Sequence, residues 1–347
     1  MNAQPKKDPP PPAAPVVDIK LVREVGVGCD LLSVAPVPGT AKALAGGTDG
    51  KMYLIDFDEA KPNPVTWAAH TGYVSGLARA GKYLVSGGSD HQLIWWDPET
   101  REKVRGLEAH DKKWVRSVAA SPDGKLVASA GDDMVCRVWD AESGKLVHEL
   151  KGHDKLTPYE LASKLYCVRF SPDGKHLATG DQTGTAVVWD AAGGKEVGRV
   201  RAPNLYTADT NGHTYGGIRA LAFSPDGTRL ALAGNIAGDT STITNSKALA
   251  QVFDWKAGKM TQDIPVKVNA FFEAVAFQAK QPWLFAATGA GEGKKVVILD
   301  TEKAAVLQEI VSNTPLFDMA LNATADTLVA VGRKKAFCWR LTQRGPQ

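Results

Sequence analysis

The chain has 347 residues, of which 23% are charged and 44% hydrophobic, and carries a formal net charge of +3. Such a composition can bury a core, which excludes global disorder, and the mild charge gives no ground for nucleic-acid binding. The cysteines Cys29, Cys136, Cys167 and Cys338 stand far apart, with no CxxC and no zinc spacing; this argues against a disulfide framework and fits a reducing compartment.

In chain order, residues 1–15 (MNAQPKKDPPPPAAP) lack an apolar signal core and read as a Pro-rich polyproline-II tail. No run reaches the ~18 apolar residues of a membrane span. A soluble, cytoplasmic protein with no membrane association is expected. IKLVREV (19–25) reads as a strand. A weaker unit follows and ends in MYLID at Asp56; the next ends in LIWWD at Asp97. Residues 115–150 then show a full pattern: VRSVAA, the turn SPDGK, LVASAG, CRVWD and GKLVHEL. Pro sets φ and Gly supplies positive φ, so SPDG between two β-rich runs is a hairpin turn. SPDGK returns at 171–175 between LYCVRF and HLATGD, with AVVWD to Asp190; SPDGT returns at 224–228 between IRALAF and RLALAG, with AQVFD to Asp254. VVILD ends a sixth unit at Asp300 and AFCWR a seventh at Arg340.

The third runs thus end at Ile55, Trp96, Trp139, Trp189, Phe253, Leu299 and Trp339, with spacings of 41, 43, 50, 64, 46 and 40. A four-strand unit repeating near ~40–45 residues implies propeller blades. At these residues the sequence resembles the WD-repeat β-propeller family over roughly residues 16–341. The resemblance implies an all-β fold: a seven-bladed β-propeller of four-stranded antiparallel blades, its ring closed by an N-terminal strand because the last unit has three strands. Residues 342–347 are left as a short tail.

His70, Ser86 and Asp90 precede Trp96, and His110, Ser129 and Asp133 precede Trp139. Serine, histidine and aspartate suggest a hydrolase, but the set occurs twice, each time with a Trp, and nothing marks an oxyanion hole. The family resemblance implies structural tetrads instead: His, Ser, Asp and Trp joined by hydrogen bonds within a blade. The fourth unit keeps His153, Thr179 and Trp189, with Thr183 where the aspartate belongs. TGAGEGKK (288–295) departs from a phosphate-binding loop at both ends and reads as a turn. No catalytic residue, cofactor or metal site is expected.

Insertions break the period before the fourth and fifth units and within the fifth. The family resemblance places them on one face, here the top. Candidate partner-binding residues there are Tyr73, Trp114, Tyr159, Tyr206, Tyr215, Phe271 and Phe272, with a basic arc that includes Lys294, Lys295 and Arg333. The expected function is a non-catalytic, monomeric scaffold that binds a protein or peptide partner mainly over blades four to six. The alternatives are an enzyme or small-molecule binder at the central channel mouth, and a binder of an anionic partner through the basic arc.

Overall fold

The SPDG turns set the local structure by a repeated mechanism. Ser121 Oγ donates to Asp123 Oδ1 (2.7 Å) and accepts from the Leu126 N–H (2.9 Å), while Gly124 takes a φ of 71°. Ser171 and Ser224 make the same pair of bonds, with Gly174 and Gly227 at φ 70° and 71°. Side chains thereby tie off the turn, and the flanking apolar runs emerge as antiparallel strands.

The computed structural model describes residues 17–208, 214–236, 246–322 and 324–343. Among the described residues the strands form five four-stranded antiparallel sheets, one seven-stranded sheet and a two-stranded ribbon (Tyr206–Ala208 with Thr214–Gly216). The arrangement is that of an all-β propeller. The seven-stranded sheet is two four-strand groups sharing one 19-residue strand, Lys259–Phe277. Its first part pairs with Lys247–Asp254 and its second with Trp283–Gly291. The segment VKVNAFFEAVAF holds no Gly and no Pro to turn the chain, so the strand runs through.

Each group has an inner strand. These are Leu31–Pro36, Val74–Ala80, Val115–Ala120, Leu165–Phe170, Ala220–Phe223, the second part of Lys259–Phe277, and Leu316–Leu321. Successive inner strands neighbour one another, and the last also lies against the first. The core is divided among the junctions between groups. One cluster joins Val115, Val127 and Trp139 to Val85 and Trp95; another joins Leu31, Ala43 and Ile55 to Val329, Val331 and Cys338. Strands covered on both faces must be apolar throughout, which explains runs such as LVASAG and VVILD.

The strand Val17–Gly26 pairs antiparallel with Lys335–Gln343 and is the fourth strand of the last sheet. Thr342 and Gln343, assigned to a tail on sequence, extend that final strand opposite Asp18 and Val17. TGAGEGKK begins in the strand Trp283–Gly291, turns, and re-enters a strand at Lys295. The Lys295 N–H donates to Thr288 Oγ1 (2.9 Å), and Thr288 donates back to the Lys295 carbonyl (2.8 Å). No helix among the described residues is long and apolar enough to cross a membrane.

Candidate interaction surface and the buried histidine networks

The loop before an inner strand and the turn between the second and third strands meet at the same end of each group, since Val115 pairs with Gly131. That end brings the histidine of the loop onto the aspartate of the turn. His70 Nδ1 lies 2.8 Å from Asp90 Oδ1, His70 Nε2 lies 2.8 Å from Ser86 Oγ, and Trp96 Nε1 donates to Ser86 Oγ at 2.8 Å. His110 repeats this with Asp133 (2.8 Å) and Ser129 (2.9 Å), and Trp139 donates to Ser129 at 2.9 Å. Indole can only donate, so the serine oxygen accepts from it and passes its own proton toward Nε2, leaving Nδ1–H for the carboxylate. Every polar group is thereby satisfied. Ser86 and Ser129 are wholly buried, so neither hydroxyl can meet a substrate.

Burial pushes the Asp90 and Asp133 carboxyls upward. The opposing hydrogen bonds and charge of His70 and His110, joined at Asp133 by Arg137, outweigh it and hold both at about 2. Arg137 Nη1 donates to Asp133 Oδ2 (2.5 Å) while its Nε donates to Glu149 (3.0 Å).

The fourth group corrects the sequence assignment. His153 Nδ1 meets Asp181 Oδ2 at 2.7 Å, Nε2 meets Thr179 Oγ1 at 2.8 Å, and Trp189 donates to Thr179 at 3.0 Å. The aspartate stands two residues earlier than expected. Its other oxygen accepts from Thr183 N–H (2.8 Å), Thr183 Oγ1 (2.9 Å) and Thr185 N–H (2.9 Å). The first group has a different cluster, missed on sequence: Tyr53 donates to Asp49 Oδ2 (2.8 Å), and Cys29 Sγ lies 3.2 Å from the Tyr53 hydroxyl. Burial, with bonds to Cys29 and Asp49, drives the Tyr53 phenol well up.

The partner-binding candidates divide. Tyr73 is 45% exposed and packs edge-on against the half-buried Trp114, with centroids 5.7 Å apart. Tyr159 is 51% exposed, and its loop also exposes Leu156 (53%) and Leu161 (46%). That loop is not loose: Thr157 N–H donates to the Leu161 carbonyl (2.7 Å), Ser163 N–H to Lys155 (2.9 Å), and the Thr157 side chain is buried. Tyr206 is half-buried at the start of the two-stranded ribbon. The Tyr215 side chain and most of the insertion within the fifth unit lie outside the described residues.

Phe271 and Phe272 correct the sequence reading, which puts them in a loop. Both lie within the long strand and are buried, Phe272 wholly so among Ala233, Leu284 and Val297. Among the cations, Lys294 and Arg333 are exposed, whereas Lys295 pairs with Glu309 (2.7 Å) and Lys335 with Glu24 (2.5 Å).

A cavity of about 620 Å³ runs between the inner strands and is lined from all seven groups. The pairing register shifts across Leu31/Ser33, Val74/Gly76, Val115/Ser117, Leu165/Cys167, Phe272/Ala274 and Leu316/Asp318. The skipped residues are Leu32, Ser75, Arg116, Tyr166, Glu273 and Phe317, and all of them line the cavity, as does Arg219 ahead of the fifth inner strand. A bulge of this kind re-aims a side chain out of the sheet. Sequence reasoning missed this convergent set, although a signal existed: Arg116, Tyr166 and Arg219 each stand five residues before the serine of an SPDG turn.

Among the described residues no group of three or more His, Cys, Asp or Glu is placed to hold a metal ion. The family model described as WD domain, G-beta repeat, matches residues 63–97, 101–140, 144–190 and 205–243. No curated protein matches the chain.

Proposed function

The chain belongs to the WD-repeat family, whose repeats mediate protein–protein interaction or scaffolding, and on that premise we propose that it is a non-catalytic platform for a protein or peptide partner. We read the seven four-strand groups as seven blades, with Val17–Gly26 closing the ring. Supporting this are the contact of the last inner strand with the first and the shared core of those two groups. A closed ring leaves no open sheet edge at the chain ends and holds the loops of its top face rigidly.

The observation that carries the binding role is the loop 154–164. Leu156, Tyr159 and Leu161 face outward from a backbone fixed by its own hydrogen bonds. Large apolar side chains exposed together on an ordered loop mark a contact surface. Tyr73 and Trp114, at the starts of the second and third inner strands, extend the aromatic surface along the same face. The contact is thus proposed over blades two to four and the cavity mouth rather than over Phe271 and Phe272. Lys295 and Lys335 are paired with carboxylates while Lys294 and Arg333 are exposed, so the basic arc is only partly neutralised, and the platform reading rests on the apolar loop rather than on this arc. The four free thiols fit a cytoplasmic protein.

The test is affinity capture with the wild type beside the triple variant Leu156→Ser/Tyr159→Ser/Leu161→Ser. Surface changes of this kind leave stability within about 0.5 kcal/mol each, so the variant should keep its melting curve and lose its partner. An unchanged partner set in a folded triple variant overturns the reading.

A further inference from the structure

We propose that the top mouth of the central cavity is an acid-binding subsite, in which Arg116, Tyr166 and Arg219 receive a carboxylate or phosphoryl group carried by a bound peptide segment. The proposal rests on the platform reading and specifies the chemistry that the platform selects.

Three successive groups bring these side chains to the cavity: Arg116 and Tyr166 at the skipped position of their inner strands, and Arg219 from the residue just ahead of the fifth inner strand. Tyr166 lies between the two arginines: Arg219 sits 5.6 Å from its ring centroid, and the charges of Arg219 and Arg116 both act on its hydroxyl. Each guanidinium is held from one side. Arg116 gives Nε and Nη2 to Asp132 (2.8 and 2.9 Å) and stacks 3.7 Å over Trp114, with no bond from Nη1 among the described residues. Arg219 reaches Glu273 through Nη1 at 3.2 and 3.4 Å and packs 4.9 Å from the Phe271 ring. The arginines are therefore oriented before any ligand arrives, which reduces the ordering cost of binding.

The polar groups do not balance. Arg219 Nε and Trp114 Nε1 are buried donors without an acceptor among the described residues. Tyr166 makes no side-chain hydrogen bond among the described residues. Asp132 and Glu273 are already engaged. Deeper in the cavity Arg169 donates, among the described residues, to Ser117 Oγ (3.2 Å) and to its neighbour's carbonyl at Val168 (2.8 Å). Opposite it, Asp318 is committed to the Val34 and Met319 N–H groups. The mouth thus lacks acceptors rather than donors. A group with two or more anionic oxygens supplies what is missing, and guanidinium matches carboxylate and phosphate geometry in particular. Tyr73 and Trp114 at the rim give the flanking peptide an apolar surface.

The test is calorimetric titration with four blocked tripeptides, Gly-X-Gly, where X is glutamate, phosphoserine, glutamine or serine. The glutamate and phosphoserine arms separate the two sources of the acid. At least one acidic probe should bind about tenfold more tightly than its neutral counterpart, the ratio expected of a charge-assisted bond. Arg219→Gln should abolish that preference. Glu273→Gln removes the carboxylate that competes for Arg219 and should strengthen acidic binding several-fold, an outcome that a purely structural ion pair cannot give. Equal binding of acidic and neutral probes, or a preference that survives Arg219→Gln, overturns the proposal. Should Arg219→Gln not fold, unchanged or weaker acidic binding by Glu273→Gln overturns it. Loss of partner capture in the Leu156/Tyr159/Leu161 variant without any acidic preference rejects the subsite and keeps the platform. Acidic preference with capture unaffected by that variant rejects the platform surface and keeps the subsite.

Discussion

Replacing Asp181 by alanine tests which residue anchors the fourth histidine network. Its carboxylate is almost wholly buried and accepts four hydrogen bonds, from His153 Nδ1, Thr183 N–H, Thr183 Oγ1 and Thr185 N–H, at 2.7 to 2.9 Å. Alanine strands a buried imidazole N–H and two backbone N–H groups. An unsatisfied buried donor costs about 1–3 kcal/mol, and the losses overlap because water and local shifts recover part of them. The expected destabilisation is about 3–5 kcal/mol, at the upper end for a single substitution. Thr183→Ala removes a single hydroxyl donor and should cost about 1 kcal/mol. Asp181→Asn keeps one acceptor oxygen and should fall between them. Urea unfolding followed by tryptophan fluorescence reads all three. A Thr183→Ala effect equal to or larger than that of Asp181→Ala would refute the assignment and restore Thr183 as the anchor.

Acid should unfold the protein through its other two networks. Asp90 and Asp133 sit at about 2 when folded, against an ordinary 3.8. The unfolded chain therefore takes up protons first, and stability present above about pH 4 is lost as the pH falls toward about 2, on the order of 2 kcal/mol per carboxylate. In urea titrations across that window, Asp90→Asn/Asp133→Asn should show a shallower slope than wild type; parallel curves would contradict the pairing. Removing residues 17–25 should expose the edge of the strand Lys335–Gln343 and lower the melting temperature of the whole domain, and melting at the parent temperature would argue against closure by this strand. Phe272→Ala should destabilise by about 3–5 kcal/mol as a core truncation, with partner capture by the folded fraction unchanged. Selective loss of capture without destabilisation would return Phe272 to the binding surface.

The strand pattern, the hairpin turns and the His70 and His110 networks were legible because they are local or repeat at fixed spacing. SPDG carries its turn in four residues, and a tetrad member keeps its distance from the blade's tryptophan. Asp181 escaped that rule because the turn after it is built differently: Thr183 caps the same carboxylate instead of replacing it. The cluster of Cys29, Asp49 and Tyr53 escaped it because it shares no residue type with the tetrad except the acid.

The repeated motifs and their period, then, were enough to determine an all-β repeat and to carry its resemblance to the WD-repeat family, since each unit states its own strands and turns. The cavity was decided by the tertiary structure. Arg116, Tyr166, Arg219 and Glu273 are far apart along the chain, and only the packing of successive inner strands, with a bulge at Arg116, Tyr166 and Glu273, turns them toward one space. The same holds for exposure. Nothing local distinguishes Phe272 from Tyr159: one lies on a strand that runs through into the next group and is buried there, the other on a self-bonded loop that nothing covers.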